Sequence, residues 1–404
     1  MTLQTPQSAT TIYLDQPPSC LQSCPSSPNH FLIGTYLLTE TKDEAGTIQQ
    51  TKTGSLQLWH LTPETNSLSL IQKLPLQYAV FDLHFHPRDP NLLAIATSAA
   101  SVALFRLSGP TPTPEIHPVW TKPVHEDPTI PALFLAWTPQ NWLNETETET
   151  QADGFAVTFS DGRTSIFGCS QGTTGLVEED AISEWGSFAA RETIEVWFVA
   201  LEIFSDNDGS QVPFLFTGDD FGSLQTRRFG GEREGELLSG VLGDWDDRGR
   251  NHGAGVTAIL PLPVGLEDGA PVVLTGSYDE SLRVYRATRR GEVLAEVGLG
   301  GGVWRLQLVR TERRGLEDGG KEWVFLVLAS CMHAGTRVVR VTRTLGRWDI
   351  EVLAEFTEHE SMNYASDVWK PEEGYDLQGK EMSELLCVSS SFYDRRLCVW
   401  RVNV

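Results

Sequence analysis

A strand pair at residues 271–287 (PVVLTGSYDESLRVYRA) constrains the fold most, because the chain repeats it. Residues 272–274 form one apolar run, and residues 282–285 carry a second one. Between the two runs, Asp279 and Glu280 are typical of a tight turn. The pattern therefore predicts two antiparallel strands joined by an acidic turn.

Seven versions of this strand pair occur along the chain, and each ends at a comparable position. The closing positions lie roughly 45 to 62 residues apart, whereas a plain WD40 repeat has about 40 to 45 residues. A first strand precedes most pairs and a fourth strand follows several, so each copy predicts a four-stranded unit that stacks on its neighbours. The closing positions are Trp59, Phe105, Phe167, Arg227, Tyr285, Val339 and Trp400.

The ending Leu-Arg-Val-Tyr-Arg of the copy at 271–287 is similar to the Trp-Asp ending of a WD40 repeat. The copies predict an all-β fold, a seven-bladed WD40 β-propeller with enlarged loops that forms a single domain over residues 1–404. Residues 1–9 are predicted to be a flexible tail. The last copy ends with its third strand, so Thr11–Leu14 should supply the fourth strand and close the ring. The alternative is a set of unrelated hairpins in a sandwich. It fits poorly with seven copies that extend over the full length of the chain.

Two kinds of segment interrupt the repeats. Glu178–Arg191 predicts a helix from its acidic start and its terminal arginine. Polar insertions lie within the first hairpin (residues 39–53) and after the fourth (residues 230–253). Three further insertions separate first and second strands and are predicted to be mobile, solvated loops on one face of the propeller, which leaves the other face comparatively bare. They are Pro139–Asp153, Arg310–Lys321 and Lys370–Glu381.

Composition narrows the functional classes. The formal net charge is −23, which argues against nucleic acid as a direct ligand and favours a partner with a basic surface. The sequence has no membrane-spanning apolar run and no secretory signal. Six cysteines in a chain of this length are too few for a disulfide scaffold. We therefore expect a cytoplasmic monomer with reduced thiols.

The standard catalytic signatures are missing from the sequence. It has no nucleophile elbow, no phosphate-binding loop and no His-Glu-x-x-His motif. Cys20 and Cys24 form a lone pair, and His84 with His86 fits a solvated strand end better than a metal site. We expect neither a metal nor a cofactor.

The bare face is predicted to contain the residues that could take part in catalysis or ligand binding. Asp161, Asp279 and Asp394 occupy the turn where WD40 repeats commonly carry a structural aspartate, whose carboxylate caps backbone N–H groups. His333 occupies a position where sister copies carry Asp or Gly, and histidine is the usual general base. The strand 2–3 turns and the entries to first strands supply Asp219, Asp220, Asp279, Glu280, Cys331, His333, Tyr393, Asp394, Trp304, Arg305, His359, Glu360, Tyr364 and Asp367.

Five stretches together resemble one known family. They are residues 34–36 (GTY), 275–284 (TGSYDESLRV), 301–305 (GGVWR), 329–335 (ASCMHAG) and 390–400 (SSFYDRRLCVW). They are similar to the eukaryotic WD-repeat diphthine methyl esterases, a family also catalogued as diphthine methyltransferase. One departure is HESMNYASDVW at 359–369, where the family usually shows a Tyr-Gly-Ala-Asp-Trp-like run.

The resemblance implies a reaction and a partner. The family hydrolyses the methyl ester of diphthine, a modified histidine of translation elongation factor 2, before amidation to diphthamide. Elongation factor 2 would then be the protein substrate. Because fold does not fix function, a non-catalytic WD40 scaffold is the alternative.

The chemistry of ester hydrolysis suggests roles as hypotheses. His333 would be the general base on water, Asp394 or Asp367 would orient it, and Arg305 would face the oxyanion. Arg305 as an inter-blade ion-pair partner is the alternative. A covalent route through Ser391 or Cys331 is the weaker variant.

Substrate binding is assigned from the trimethylammonium group of diphthine, because aromatic faces attract such a cation. The aromatic candidates are Trp304, Tyr364, Trp369 and Tyr393, with packing between blades as the alternative for both tryptophans. Glu280 or Asp219 would add charge attraction, and His359 completes the set of substrate-binding candidates.

Overall fold

Seven antiparallel sheets, each built around one predicted strand pair, make the protein a seven-bladed β-propeller in this computed structural model. The structure describes residues 2–42, 46–109, 113–143, 151–230, 240–315, 321–371 and 383–404. Two compact units divide the chain: one contains residues 134–357, and the other contains residues 6–133 together with the C-terminal strands. We number the blades in chain order.

Blades one and two follow the N-terminal strand β1 (Ser8–Tyr13). Blade one has the order β2-β3-β5, with β4 and β6 both paired to β5, and blade two has the order β10-β9-β8-β7. Their strands are β2 (Pro18–Ser23), β3 (His30–Thr35), β4 (Leu37–Lys42), β5 (Ile48–Thr62), β6 (Ser67–Leu76), β7 (Val80–Phe85), β8 (Leu92–Thr97), β9 (Ser101–Ser108) and β10 (Glu115–Pro123).

Blades three to six each pair four strands in chain order. Blade three has β11 (Ala132–Trp137), β12 (Asp153–Phe159), β13 (Arg163–Cys169) and β14 (Ser183–Ala189). Blade four has β15 (Val196–Ser205), β16 (Gln211–Asp219), β17 (Leu224–Phe229) and β18 (Val241–Asp246). Blade five has β19 (Val256–Pro261), β20 (Val272–Ser277), β21 (Ser281–Arg286) and β22 (Glu292–Gly298). Blade six has β23 (Arg305–Gly315), β24 (Lys321–Ser330), β25 (Thr336–Thr344) and β26 (Arg347–Phe356).

Blade seven joins the two ends of the chain, as predicted. Its strands are β27 (Ala365–Val368), β28 (Glu384–Ser390) and β29 (Arg396–Asn403). β1 pairs with β29 from Ser8↔Trp400 to Tyr13↔Arg396, so the N-terminal segment supplies the fourth strand. A tail was predicted over residues 1–9, whereas Gln4 forms a parallel bridge with Ala354 and β1 begins at Ser8.

The closing positions of the seven copies all lie in the third strand of their blade. Each of these side chains is at most 8% exposed, so they form the core expected from stacked sheets. Even Arg227 is 2% exposed. Its Nη2 donates to the carbonyl of Ala189 at 3.0 Å, its Nε lies 3.2 Å from Asp244 Oδ2, and its guanidinium covers the ring of Phe188.

The helix predicted over Glu178–Arg191 is wrong. Two short 3₁₀ turns, Thr173–Val177 and Glu179–Ala181, precede strand β14, which pairs with β13 from Arg163↔Ala189 to Gly168↔Ser183. The physical reason is that β13 needs an outer partner for its backbone groups. The charged residues at the ends of the segment favour a helix less strongly than pairing with β13 favours a strand.

Two insertions expected as loops are largely paired strands. β4 and β5 form a hairpin from Leu37↔Thr53 to Lys42↔Ile48. β23 and β24 extend their ladder into the insertion at 310–321, as far as Gly315↔Lys321. The start of the insertion at 139–153 is also anchored, because the fully buried Trp142 donates its Nε1 to the carbonyl of Phe214 at 3.0 Å. The insertion at 370–381 lies mostly outside the described residues.

Candidate functional site

His333 lies at the exposed tip of a tight turn in blade six. The N–H of Cys331 donates to the carbonyl of Gly335 at 2.7 Å, and the N–H of Ala334 donates to that of Cys331 at 2.8 Å. Met332 has a φ of 42° and Gly335 a φ of 83°, so the chain enters and leaves the turn in left-handed conformations. These hydrogen bonds therefore hold the backbone of the turn, and His333 is exposed at its tip.

Gly301 and Gly302 let the chain before β23 pack against the His333 turn. A Cβ on Gly301 would lie 2.4 Å from the carbonyl oxygen of Cys331 and 2.8 Å from Cβ of Ala334. A Cβ on Gly302 would lie 2.8 Å from Sδ of Met332. The atom that Gly301 would meet is a backbone oxygen, which cannot easily move aside, whereas the Met332 thioether near Gly302 is flexible. The Gly-Gly step thus brings the GGVWR stretch directly onto the CMHAG turn.

Backbone hydrogen bonds connect the GGVWR stretch (residues 301–305) to residues 275–280 as well as to the chain before the His333 turn. The N–H of Trp304 donates to the carbonyl of Ser330 at 2.8 Å, and the N–H of Val303 donates to that of Ser277 at 2.9 Å. Residues 275–280, 301–305 and 329–335 are separated in sequence, yet they meet at the boundary of blades five and six. We define this region as the three-motif surface.

Trp304 belongs to a cluster of three half-buried rings. Its ring centroid lies 5.6 Å from that of Trp197 and 6.0 Å from that of Tyr278, and the centroids of Trp197 and Tyr278 lie 6.3 Å apart. Sequence reasoning missed Trp197 and Tyr278. A signal was present for Trp197, because Val196-Trp197 and Val303-Trp304 stand at the same place in their repeats.

Arg305 stacks among aromatic rings and donates to main-chain oxygens. Its guanidinium carbon lies 4.7 to 5.4 Å from the ring centroids of Trp304, Phe134 and Phe198. Its Nη1 donates to the carbonyls of Thr257 at 3.1 Å and Trp304 at 2.8 Å. These contacts fit the role of a packing cation between blades at least as well as that of an oxyanion donor, which stays a prediction.

The acidic candidates of the same unit differ in accessibility. Glu280 is exposed with a φ of 69°, whereas Asp219 is 7% exposed and accepts the N–H groups of Phe221 and Ser223. Burial raises the pKa of Asp219 to about 6. Glu280 is therefore available to a ligand, and Asp219 stabilises its own turn.

The other unit contains five predicted site residues. Asp394 accepts the N–H of Glu360 at 2.9 Å and the hydroxyl of Ser391, as expected for a structural turn aspartate. Asp367 is 2% exposed and accepts the N–H groups of Ser23 and Val368, both at 2.7 Å. Both carboxylates thus accept hydrogen bonds from backbone N–H groups. The role of either one in orienting His333 stays a prediction.

Tyr364 and Tyr393 both contact Phe392, at 5.5 and 5.0 Å between ring centroids. Tyr393 is 71% exposed. Trp369 instead packs in the core of its unit and donates its Nε1 to Oδ1 of Asn29 at 2.7 Å. The two tyrosines remain candidates for ligand contact, whereas the environment of Trp369 fits packing.

His359 lies in a buried hydrogen-bonded chain. Its Nε2 is 2.8 Å from Oγ of Ser389, which also accepts Nε1 of Trp400 at 3.0 Å. The side chain is 6% exposed, and we therefore assign it a structural position in place of the predicted substrate contact. Blade five repeats the arrangement, with His252 Nε2 2.8 Å from Oγ1 of Thr275.

Both buried histidines should make the protein less stable in mild acid. Burial lowers the pKa of His252 and of His359 to about 4, below the usual 6.5. Both folded-state values are depressed, so their stabilisation is complete above about pH 6.5 and is lost as pH falls towards 4. Each contributes on the order of a few kcal/mol. Urea unfolding between these pH values should show a smaller pH slope for His359→Gln than for wild type.

His117→Gln is the matched control, because the His117 side chain is 52% exposed. Its slope should equal that of the wild type. An unchanged slope in His359→Gln would contradict the assignment of a neutral, buried imidazole.

The covalent alternatives are poorly placed. Cys331 and Ser391 are both 0% exposed. Burial raises the pKa of the Cys331 thiol to about 12, so its thiolate is scarce near neutral pH.

The described ranges lack two features, a metal-binding cluster and a membrane-spanning helix. They contain no group of three or more His, Cys, Asp or Glu side chains placed to hold a metal ion. Cys20 and Cys24 are buried, and His86 Nδ1 accepts the N–H groups of Arg88 and Asp89. No helix in these ranges is long and apolar enough to cross a membrane.

Three curated proteins named diphthine methyltransferase are similar to this chain, although no protein-family model matches it. The Schizosaccharomyces pombe protein is 31% identical over 156 residues, which are 39% of this chain and 40% of that protein. The Mus musculus protein is 22% identical over 365 residues, 85% of this chain and 65% of that protein. The Homo sapiens protein is 27% identical over 137 residues, 32% and 27% respectively. The chain thus matches less than two thirds of the length of these relatives.

Solved structures with a similar fold have low sequence identity. Sqt1 of Chaetomium thermophilum, in a crystal structure bound to the N-terminus of ribosomal protein L10, has a TM-score of 0.55 and 13% identity, over 97% of this chain and 99% of that one. A chain of the mitotic checkpoint complex has a TM-score of 0.53 and 13% identity, over 100% and 99%. At such identities the likeness shows the fold alone.

Proposed function

We propose that this chain acts in diphthamide biosynthesis by hydrolysing the methyl ester of diphthine on elongation factor 2. Its curated relatives are named diphthine methyltransferase, which supports a methyl-modifying role in that pathway. The observation that carries the proposal is the three-motif surface. The stretches most similar to the esterase family meet there, around the exposed His333.

The reaction needs a general base, a water molecule and a donor for the developing oxyanion. His333 takes a proton from water, whose oxygen attacks the ester carbonyl carbon. The bond from that carbon to the methoxy oxygen then breaks, and the methoxy group leaves as methanol with the proton returned by His333. The products are methanol and the carboxylate of diphthine. Arg305 facing the oxyanion belongs to the same proposal.

Substrate recognition in this proposal uses a protein partner and an aromatic surface. The negative net charge of −23 favours a basic surface on the elongation factor. Tyr364, Tyr393 and Trp304 are the predicted ring contacts, with Glu280 adding charge attraction. The chain would work in the cytoplasm as a monomer without a cofactor.

Mass spectrometry of elongation factor 2 tests the proposal. The methylated factor, incubated with the protein, should lose the mass of one methylene, because ester cleavage replaces a methyl group with a proton. The carboxylate product should then accept amidation. Binding without a mass change would contradict hydrolysis and favour a scaffold role. An incubation with His333→Asn protein provides the matched control for contaminating esterases.

A further inference from the structure

We propose that Trp197, Tyr278 and Trp304 together form a binding site for a quaternary ammonium cation. The inference deepens the proposed function, on which it rests for the identity of the natural ligand, the trimethylammonium group of diphthine. Trp197 and Tyr278 were not among the residues expected to bind it. The site comes from three blades of one unit, because Trp197 is in blade four, Tyr278 in blade five and Trp304 at the entry to blade six.

A backbone irregularity aims the first ring out of its sheet. In blade four, Val196 pairs with Asp219 and Phe198 pairs with Gly218, so Trp197 is the extra residue of a β-bulge. Bulges redirect side chains and are frequent beside functional sites. Trp197 thereby leaves the ladder and contacts the rings of Tyr278 in blade five and Trp304 at the entry to blade six.

The equivalent bulge residue of blade five is small and buried. Blade five has the same bulge, with Val256 paired to Ser277 and Ala258 to Gly276, and its extra residue is Thr257. Thr257 is fully buried, and its hydroxyl donates to the carbonyl of Val303 at 2.5 Å. Thr257 therefore does not reach the surface, and the ring centroids of Trp197 and Trp304 lie 5.6 Å apart.

A carboxylate lies beside the Trp197 ring, and a guanidinium lies on the Trp304 ring. Nε1 of Trp197 donates to Oδ1 of Asp220 at 2.7 Å, which fixes the indole and places a carboxylate beside the cluster. One aromatic face attracts a cation by about 0.5 to 2 kcal/mol. The guanidinium of Arg305 already lies 4.7 Å from the Trp304 ring centroid, so a second cation would be held mainly by Trp197 and Tyr278.

The absence of N–H donors distinguishes a quaternary ammonium from lysine or arginine. Those side chains need several hydrogen-bond acceptors, whereas the cluster offers mainly ring faces, with one oxygen of Asp220 accepting the Trp197 indole. A trimethylated cation needs only the faces and a net attraction. The geometry therefore fits this class of ligand better than an ordinary basic side chain.

Titration with choline tests the site, with 3,3-dimethyl-1-butanol as the neutral probe of the same shape. Tryptophan fluorescence of the full chain should report saturable binding of choline and at least several-fold weaker binding of the neutral alcohol. Trp197→Leu should weaken choline binding roughly tenfold, and Trp197→Phe should keep most of it. Trp185→Leu, in strand β14 of blade three, is the control and should bind as the wild type does.

Equal binding of the two probes, absence of saturable choline binding, or full affinity in a folded Trp197→Leu protein would overturn the proposal. Circular dichroism establishes that each variant is folded. The outcome is separable from that of the esterase assay. Choline binding that depends on Trp197, in a protein that leaves the methyl ester intact, would preserve the site and reject the reaction.

Discussion

Replacing His333 with asparagine should slow hydrolysis of the diphthine methyl ester by about 10²- to 10⁴-fold, the usual contribution of a general base. The loss should appear in kcat, because asparagine keeps a polar side chain of similar size but cannot take the proton from water. His333 is exposed at the tip of its turn, so the free energy of unfolding should change by no more than about 0.5 kcal/mol.

The matched control is His117→Asn, which replaces an exposed histidine on strand β10. It should hydrolyse the ester at the wild-type rate. Wild-type kcat in His333→Asn would remove His333 from the mechanism. In that case the relatives' names would still support the pathway, and the base would have to be sought elsewhere.

Gly301→Ala should damage both stability and activity without touching any predicted catalytic side chain. The new Cβ would lie 2.4 Å from the carbonyl oxygen of Cys331, so the His333 turn must move. Overpacking of this kind costs about 1 to 3 kcal/mol. A displacement near 1 Å at a reacting group lowers activity by roughly 10²-fold. Urea unfolding and kcat/KM measure the two effects.

Gly298→Ala is the control for the glycine replacement itself. Gly298 ends strand β22, and a Cβ there would meet no heavy atom within 4 Å. Its stability and activity should stay close to those of the wild type. A Gly301→Ala protein with wild-type kcat/KM would show that packing of the Gly-Gly step does not position His333.

Local patterns predicted most of the strands correctly. The first strands that were expected before the strand pairs are present, for example Val80–Phe85 and Ala132–Trp137, because apolar runs and turn residues act over a few positions. Glu178–Arg191 shows the limit of such patterns. Its charges suggested a helix, and the open edge of β13 made half of it a strand, β14. Pairing between distant segments decides such cases.

The sequence by itself determined the seven repeats, the closing of blade seven by the N-terminal strand, and His333 as the unusual residue of its turn. Only the tertiary structure decided which side chains meet. It joined Trp197 and Tyr278 to Trp304, and it placed Asp367 and His359 in buried hydrogen bonds. The physical reason is the range of the interactions. Strand and turn preferences come from residues that are neighbours in the sequence. The β-bulge at Trp197, the small Thr257 of blade five and the missing Cβ of Gly301 act through contacts between different sheets.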